Sequence, residues 1–300
     1  MSKKGEPALD LEAEYNNRAR CPDHPAVMAR WKASAEAARA AHPPQEIAYG
    51  QGPRERLDLF SAGEGRPVAV FLHGGYWQAL DKSWFSGIAP ALLAHGVSLA
   101  VPSYDLAPMV RLRAIIDQMR AAMDLLIERT GTRSVVFGHS AGGHMAATML
   151  SEGRASAAVA ISGVFDVRPL IPTSLNTALG LDEAEAAAMS PIDWSVPEGS
   201  ILDCVVGGAE SPEFLRQSRD MAAAWGKQGA VTRFEALERL DHFTVLDPLF
   251  DPESDLVARI VGLSRAGGSD VSVSLQTNSD MTDRSDICRC RSENTPTRLT

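Results

Sequence analysis

The stretch Ser134-Val-Val-Phe137-Gly138-His139-Ser140-Ala141-Gly142-Gly143 indicates the fold most directly. Its first four residues are mostly β-branched or aromatic and predict a buried strand, and the alanine-rich residues 141–151 predict a helix. The turn between them matches the pattern G-x-S-x-G, in which the glycines let the chain turn sharply and leave the serine hydroxyl exposed. The sequence therefore predicts that Ser140 is a nucleophile at the carboxyl end of a strand. The alternative is a glycine-rich turn whose serine only caps the helix.

Short apolar runs alternate with helical stretches on both sides of this turn. The predicted strands are 68–72, 97–101, 134–137, 157–161, 201–206 and 232–237, with a half-exposed strand at 54–60, and the predicted helices include 84–94, 110–129 and 141–151. This alternation predicts an α/β fold with a mostly parallel sheet and helices on both faces. Such sheets bind ligands at the carboxyl ends of their strands. Helical residues 8–42 and the irregular segment 166–199 are expected to form a small cap over that edge.

A second motif, His73-Gly74-Gly75-Tyr76-Trp77, follows the predicted strand 68–72 directly. Acyl transfer places negative charge on the substrate oxygen in the transition state, and backbone N–H groups aimed at that oxygen stabilise it. Glycines let the backbone approach closely, so Gly74 and Gly75 are candidates for this oxyanion hole, and Ala141, the residue after the nucleophile, is a third. His73 itself is expected to be structural, and a plain turn is the alternative for the whole loop.

A serine nucleophile needs a base, and the chain contains seven histidines. For this pair of motifs the base follows the nucleophile in the chain, which leaves His144 and His242. His144 lies one turn into the predicted helix after Ser140, too close in sequence to reach around to the hydroxyl. His242 lies in a loop after the predicted strand 232–237, where we expect the base. A surface loop histidine is the alternative for this residue.

The base in turn needs an acid that orients it and stabilises its charged form. Glu210 lies just past the predicted strand 201–206 and precedes His242 in the chain. Asp203 would lie inside that strand and Glu213 would open the next helix, so structural roles explain these two better. We therefore predict Glu210 as the acid, with Glu213 and Asp203 as the alternatives.

Together these motifs resemble those of the arylformamidase (kynurenine formamidase) branch of the α/β-hydrolases, which is related to the hormone-sensitive-lipase-like esterases. The matching stretches, spread over roughly residues 10–262, are Tyr15-Asn-Asn-Arg18, Pro22-Asp-His-Pro25, His73-Gly-Gly-Tyr-Trp77, Gly138-His-Ser-Ala-Gly-Gly143, Val206-Gly-Gly-Ala-Glu-Ser-Pro-Glu-Phe214 and Asp241-His-Phe243. The resemblance implies an α/β-hydrolase fold, a triad of Ser140, Glu210 and His242, and an oxyanion hole of Gly74, Gly75 and Ala141. The chain departs from the family at the acid, which is usually Asp and is Glu210 here.

The combined expectation is a serine hydrolase that works through an acyl-enzyme and needs no metal or organic cofactor. Tyr76, Trp77 and Phe243 are expected to line a small aromatic substrate pocket, unless they only fill the core. Short-acyl carboxylic esters and N-formyl aromatic amines both join a small acyl group to a larger leaving group, so we expect either or both as substrates, with ester cleavage the more readily detected. A dedicated arylformamidase is the alternative, and a non-catalytic ligand-binding protein on the same fold is a lesser one.

Composition argues against several other classes of protein. The chain has 300 residues and a net charge of -9, with no long basic run, which disfavours nucleic-acid binding. The N-terminus lacks the apolar segment of a secretion signal, and no apolar run reaches the ~20 residues of a membrane span. The cysteines, which are Cys21, Cys204, Cys288 and Cys290, form no disulfide or zinc pattern, so we expect a reduced, cytoplasmic protein. The sequence leaves the oligomeric state open, with a homodimer as one option. Residues 1–265 are expected to form the hydrolase domain, and residues 266–300, rich in Ser and Thr, a disordered tail.

Overall fold

The computed structural model describes residues 9–267, and in them one central sheet organises the chain. Its strands are β1 (Gln45–Ala48), β2 (Arg56–Phe60), β3 (Val68–Leu72), β4 (Ser98–Pro102), β5 (Val135–His139), β6 (Ala157–Ile161), β7 (Ile201–Gly207) and β8 (Val231–Leu237). Their order across the sheet is β1-β2-β4-β3-β5-β6-β7-β8. β1, β2 and β4 pair antiparallel, whereas all pairs from β4 to β8 are parallel. This mostly parallel sheet confirms the predicted fold class.

Helices cover both faces of the sheet. They are α1 (Leu11–Tyr15), α2 (Asn17–Arg20), α3 (His24–Ala41), α4 (Ala89–Leu93), α5 (Leu112–Thr130), α6 (Ala141–Ser151), α7 (Asn176–Leu179), α8 (Glu183–Ala188), α9 (Pro212–Gly226) and α10 (Asp255–Ala266). Short 3-10 helices span Lys82–Ile88, Arg168–Leu170, Pro191–Asp193 and Thr244–Phe250. The predicted tail, 266–300, lies outside the described residues except for Ala266, which ends α10, and Gly267.

Two regions predicted as continuous helix are divided in the structure. The N-terminal region breaks at Asn16, whose side chain accepts a hydrogen bond from the Ala19 N–H and so starts α2 as a separate helix. The predicted helix 84–94 is instead the 3-10 helix Lys82–Ile88 followed by the short α4. Asp81 caps that 3-10 helix by accepting from the Ser83 N–H, and Gly87 within it is a weak helix former.

The hydrophobic core lies in two layers, one on each face of the sheet. On β3, Val70 and Leu72 pack in the layer that includes α5, α6 and α9, whereas Ala69 and Phe71 pack in the layer that includes α3 and α10. Alternation of this kind follows from the two-residue period of a strand. Because both faces are buried, the strands must present their ligand-binding groups at their ends.

Two segments predicted to form a cap meet beside the carboxyl ends of the strands. The Glu12 carboxylate on α1 accepts hydrogen bonds from the N–H and Oγ of Ser174, each at 2.7 Å. Farther along the N-terminal region, α3 takes no part in this contact and packs into the buried core through Val27 and Trp31. Among the helices within residues 9–267, none is long and apolar enough to cross a membrane.

Candidate active site

Ser140 lies in a strained turn between β5 and α6. Its φ of 56° is in the left-handed region that residues other than glycine rarely adopt. A Cβ at Gly138 would overlap the Gly142 carbonyl, and a Cβ at Gly142 would overlap the Leu72 carbonyl, so this turn requires glycine at both positions. Strain of this kind persists only where the surroundings impose it, and here it accompanies a serine at the wall of a cavity.

His242 lies after β8, immediately before the 3-10 helix Thr244–Phe250. Its Nδ1 is 2.6 Å from Oε2 of Glu210, and both side chains are almost completely buried. Because a carboxylate only accepts, Nδ1 carries the proton, which leaves the Nε2 lone pair free. Ser140 and His242 line the same cavity, although within residues 9–267 the structure shows no hydrogen bond between their side chains. Such bonds are often long before substrate binds.

Hydrogen bonds from two directions hold the loop that carries His242. His139, the residue before Ser140, donates from Nε2 to the backbone carbonyl of His242 at 2.8 Å. Burial lowers the pKa of His139 well below its usual value, so this ring stays neutral beside the base. Asp241 accepts from the N–H groups of Phe243 and Thr244; although burial would raise the pKa of Asp241, these bonds lower it. Sequence reasoning missed His139, whose position next to Ser140 was the available signal.

Of the three carboxylates considered from the sequence, Glu210 is the one that contacts His242. Its second oxygen, Oε1, accepts from the Ser162 hydroxyl at 2.5 Å and from the Gly207 N–H at 2.7 Å. Sequence reasoning missed Ser162, although it follows β6 just as Glu210 follows the neighbouring β7.

The other two carboxylates have other partners. Asp203 pairs with Arg259 at 3.2 Å, and burial raises the pKa of Asp203. Glu213 pairs with Arg216 and accepts from the Tyr15 hydroxyl at 2.8 Å.

The glycine loop after β3 lies against the nucleophile. A Cβ at Gly74 would come within 3.0 Å of the Ser140 Cβ, so only glycine allows this approach, and Gly75 has a φ of 106°. Within residues 9–267, no backbone carbonyl accepts from the N–H of Gly75 or Ala141. His73 donates from Nδ1 to the Gly74 carbonyl at 2.8 Å, and burial lowers its pKa to about 4, so it is neutral and supports the loop.

The three predicted substrate-binding aromatic residues do not share one environment. Tyr76 and Phe243 line the cavity, and the Tyr76 hydroxyl donates to the Tyr15 carbonyl at 2.8 Å. Trp77 does not fit the predicted role, because its side chain is fully buried and packs edge-on against the His144 ring, with ring centroids 5.1 Å apart.

The cavity has a volume of about 380 Å³. Its lining includes the apolar side chains of Met28, Trp31 and Phe243. It also includes the charged residues Glu12 and Arg18 from the first two helices, which sequence reasoning did not single out. In the part of the chain that the structure describes, no three His, Cys, Asp or Glu side chains are grouped to hold a metal ion.

Comparison with known proteins places this geometry in a family. The sequence profile of the alpha/beta hydrolase family matches residues 69–277. Kynurenine formamidases from Salmo salar and Danio rerio are 31% and 29% identical to this chain, and each match covers 73% of this chain and 82% of the relative. The chain belongs to the arylformamidase-like branch of the alpha/beta hydrolase family. It is therefore a hydrolase, as the sequence predicts.

Solved structures are similar to this alpha/beta hydrolase over most of its length. A protein from Silicibacter sp. tm1040, proposed to be a thioesterase, is 38% identical with a TM-score of 0.75, and the match covers 84% of this chain and 99% of that protein. An esterase from the bacterial hormone-sensitive lipase family has a TM-score of 0.63 at 18% identity and covers 83% of this chain and 99% of its own. At that identity the likeness concerns the fold alone.

Proposed function

We propose that this hydrolase cleaves short-acyl carboxylic esters and N-formyl aromatic amines through an acyl-enzyme formed on Ser140. The observation that carries the proposal is the meeting of Ser140 and His242 at one cavity, with Glu210 behind the histidine at 2.6 Å. This arrangement has the three parts that a serine nucleophile needs, namely a serine in a strained turn at the cavity wall, a base and a buried carboxylate.

In the first half of the reaction, Ser140 Oγ forms a bond to the substrate carbonyl carbon while its proton passes to Nε2 of His242. The carbonyl oxygen becomes an oxyanion, which the N–H groups of Gly74, Gly75 and Ala141 stabilise. The bond from carbon to the leaving oxygen or nitrogen then breaks, and His242 returns the proton to that atom. The Glu210 carboxylate stabilises the imidazolium while His242 holds the transferred proton.

In the second half, water attacks the acyl carbon and gives one proton to His242. The bond to Ser140 Oγ then breaks, and the proton returns to Oγ. An ester yields a carboxylic acid and an alcohol, whereas an N-formyl amine yields formic acid and a free amine.

Two features support the formamide as a substrate. The first is the similarity to kynurenine formamidases, whose name describes cleavage of an N-formyl aromatic amine. The second is the cavity, where Met28, Trp31 and Phe243 offer an apolar wall to an aromatic leaving group and Arg18 offers a cation to a carboxylate on it. Activated esters need less help with their leaving group, so we expect them to be cleaved as well.

The decisive experiment compares kcat/KM for N-formylkynurenine with that for p-nitrophenyl esters of short and long acids. We expect turnover of the formamide and of the short esters. Turnover of the formamide without ester turnover would favour the dedicated arylformamidase, and binding without turnover would favour the non-catalytic alternative.

Ser140→Ala should lower kcat by ~10⁴-fold or more in an intact fold, and an organophosphate should label Ser140. Full activity in Ser140→Ala would contradict the proposal.

We also propose that the enzyme works in the reduced environment of the cytoplasm. Cys21 and Cys204 are both buried free thiols, which fits an environment that does not drive disulfide formation. Measuring the location of the tagged full chain by fractionation would test this; recovery outside the cytoplasm would contradict it.

A further inference from the structure

Ser162 is a buried serine in an unusual backbone conformation directly behind the proposed triad. It follows β6, its side chain is inaccessible to solvent, and its φ is 51°. Its hydroxyl donates to Oε1 of Glu210 at 2.5 Å. Its own N–H donates to the Val205 carbonyl at 2.7 Å, which fixes the residue to the neighbouring β7.

The conformation of Ser162 is one that glycine adopts without strain and serine does not. Glycine here would relieve the strain, but it would also remove the hydroxyl that reaches Glu210. Backbone strain of this kind is concentrated at functional sites, where the surrounding structure imposes it. The combination of strain, complete burial and a hydroxyl aimed at a buried carboxylate indicates a role for that hydroxyl.

The carboxylate of Glu210 has each oxygen engaged on a different side. Oε2 accepts from His242 Nδ1 at 2.6 Å, while Oε1 accepts from Ser162 and from the Gly207 N–H at 2.7 Å. Hydrogen bonds to an ionised carboxylate are strong and favour its charged form. They also fix the plane of the carboxylate, which matters more for glutamate than for aspartate because glutamate has one more rotatable bond.

We propose that Ser162 is a positioning residue, which holds the Glu210 carboxylate oriented toward His242. The inference rests on the proposed function of the triad. Ser162 does not line the cavity, so it acts on the substrate only through Glu210 and His242. The stabilisation of the imidazolium is greatest in the transition state, so the hydroxyl of Ser162 should affect kcat more than KM.

The test uses Ser162→Gly and Ser162→Ala in the full chain. Both remove the hydroxyl, so we expect kcat to fall roughly 10-fold with KM changed by less than about 2-fold. Glycine also relieves the strain, so Ser162→Gly should melt at or above the temperature of Ser162→Ala. Ser264→Ala is the matched control: Ser264 is also buried and donates to the Ile260 carbonyl within α10, and we expect wild-type kcat.

A double-mutant cycle distinguishes action through Glu210 from a general structural effect. In the Glu210→Gln background, Ser162→Gly should change kcat by less than about 2-fold, because the carboxylate it positions is gone. Wild-type kcat in Ser162→Gly, or a full 10-fold loss repeated in the Glu210→Gln background, would overturn the inference. Failure of the proposed function looks different, since Ser140→Ala or Glu210→Gln would then keep wild-type turnover.

Discussion

Glu210, in the turn before α9, and Glu213, in the first turn of α9, lie three residues apart, and both are buried, yet their carboxylates have different kinds of partner. Glu210 faces His242, whose charge can change during a reaction. Glu213 faces Arg216, which is always charged, and the Tyr15 hydroxyl. Under the proposed mechanism, burial alone does not distinguish the carboxylate that orients the base from one that only stabilises the fold. What separates the two is whether the partner can gain and lose a proton.

The contacts of Glu213 instead connect α9 to the N-terminal helices that line the cavity. Tyr15 lines the cavity, and its hydroxyl donates to Glu213 while accepting from Gln217 Nε2 at 2.9 Å. The Glu213 N–H also donates to the Glu14 carboxylate at 3.1 Å. Through these contacts α9 holds the N-terminal helices that form one wall of the cavity.

Neutralising each carboxylate in turn tests most directly which of them activity depends on. Glu210→Gln keeps the shape of the side chain but removes the charge that stabilises the imidazolium, so we expect kcat to fall by ~10²-fold or more with KM little changed. Glu213→Gln and Asp203→Asn, measured in the same assay, should stay within ~10-fold of wild type. Near-wild-type activity in Glu210→Gln, together with collapse in either of the other variants, would move the acid to that residue.

Glu210→Asp separates the effect of charge from that of position, because it keeps the carboxylate but shortens the side chain by one methylene group. The loop after β7 contains Glu210 at the position where the arylformamidase branch usually has an aspartate. An aspartate in the same loop could not reach His242 while keeping the bonds to Ser162 and Gly207, so we expect an intermediate loss of roughly 10-fold in kcat. Steady-state kinetics of Glu210→Asp and Glu210→Gln, measured side by side with wild type, would show this intermediate kcat. Equal activity in the aspartate and glutamine variants would mean that position matters more than charge.

The parts of this site that the sequence predicts are those that depend on residues close together in the chain. The turn at Ser140 depends on Gly138 and Gly142, which are its neighbours in the chain, so one short stretch contains the whole requirement. The choice of Glu210 rested on its position just past the end of β7 and before His242 in the chain, and the family resemblance implied the same residue. The first of these criteria, applied to β6, would have indicated Ser162, which follows that strand.

The features that the sequence did not predict depend on contacts between distant residues. The bond from His139 to the His242 carbonyl joins residues 103 positions apart. Trp77 lies in an aromatic-rich motif beside the nucleophile, but packing against His144 determines where its side chain points. No pattern in the local sequence separates an aromatic residue that lines a cavity from one that fills the core.

Glu213→Gln tests the structural half of the comparison. The substitution leaves the Tyr15 hydroxyl and Arg216 without their charged partner, so we expect the melting temperature at pH 7 to fall by about 2–6 °C. The effect on kcat should be smaller than that of either Glu210 variant. Differential scanning fluorimetry beside the kinetic assay gives both values. An unchanged melting temperature would show that Glu213 does not hold the N-terminal helices.

The smallest expected effect is a change with pH in the difference in melting temperature between wild type and Glu213→Gln. Burial would raise the pKa of Glu213, but the hydrogen bonds from Arg216 and Tyr15 bring it below the usual 4.5. A carboxyl whose pKa is lower in the folded chain stabilises the fold above its unfolded pKa, and that stabilisation is lost as pH falls through the folded value. The difference between wild type and Glu213→Gln should therefore be constant from pH 7 to about 5.5 and shrink below about 4.5. Asp203 gives the control of opposite sign: burial raises its pKa, so wild type should gain stability relative to Asp203→Asn as the pH falls. A difference for Glu213→Gln that stays constant down to acid unfolding would contradict the assignment of Glu213 as a charged structural group.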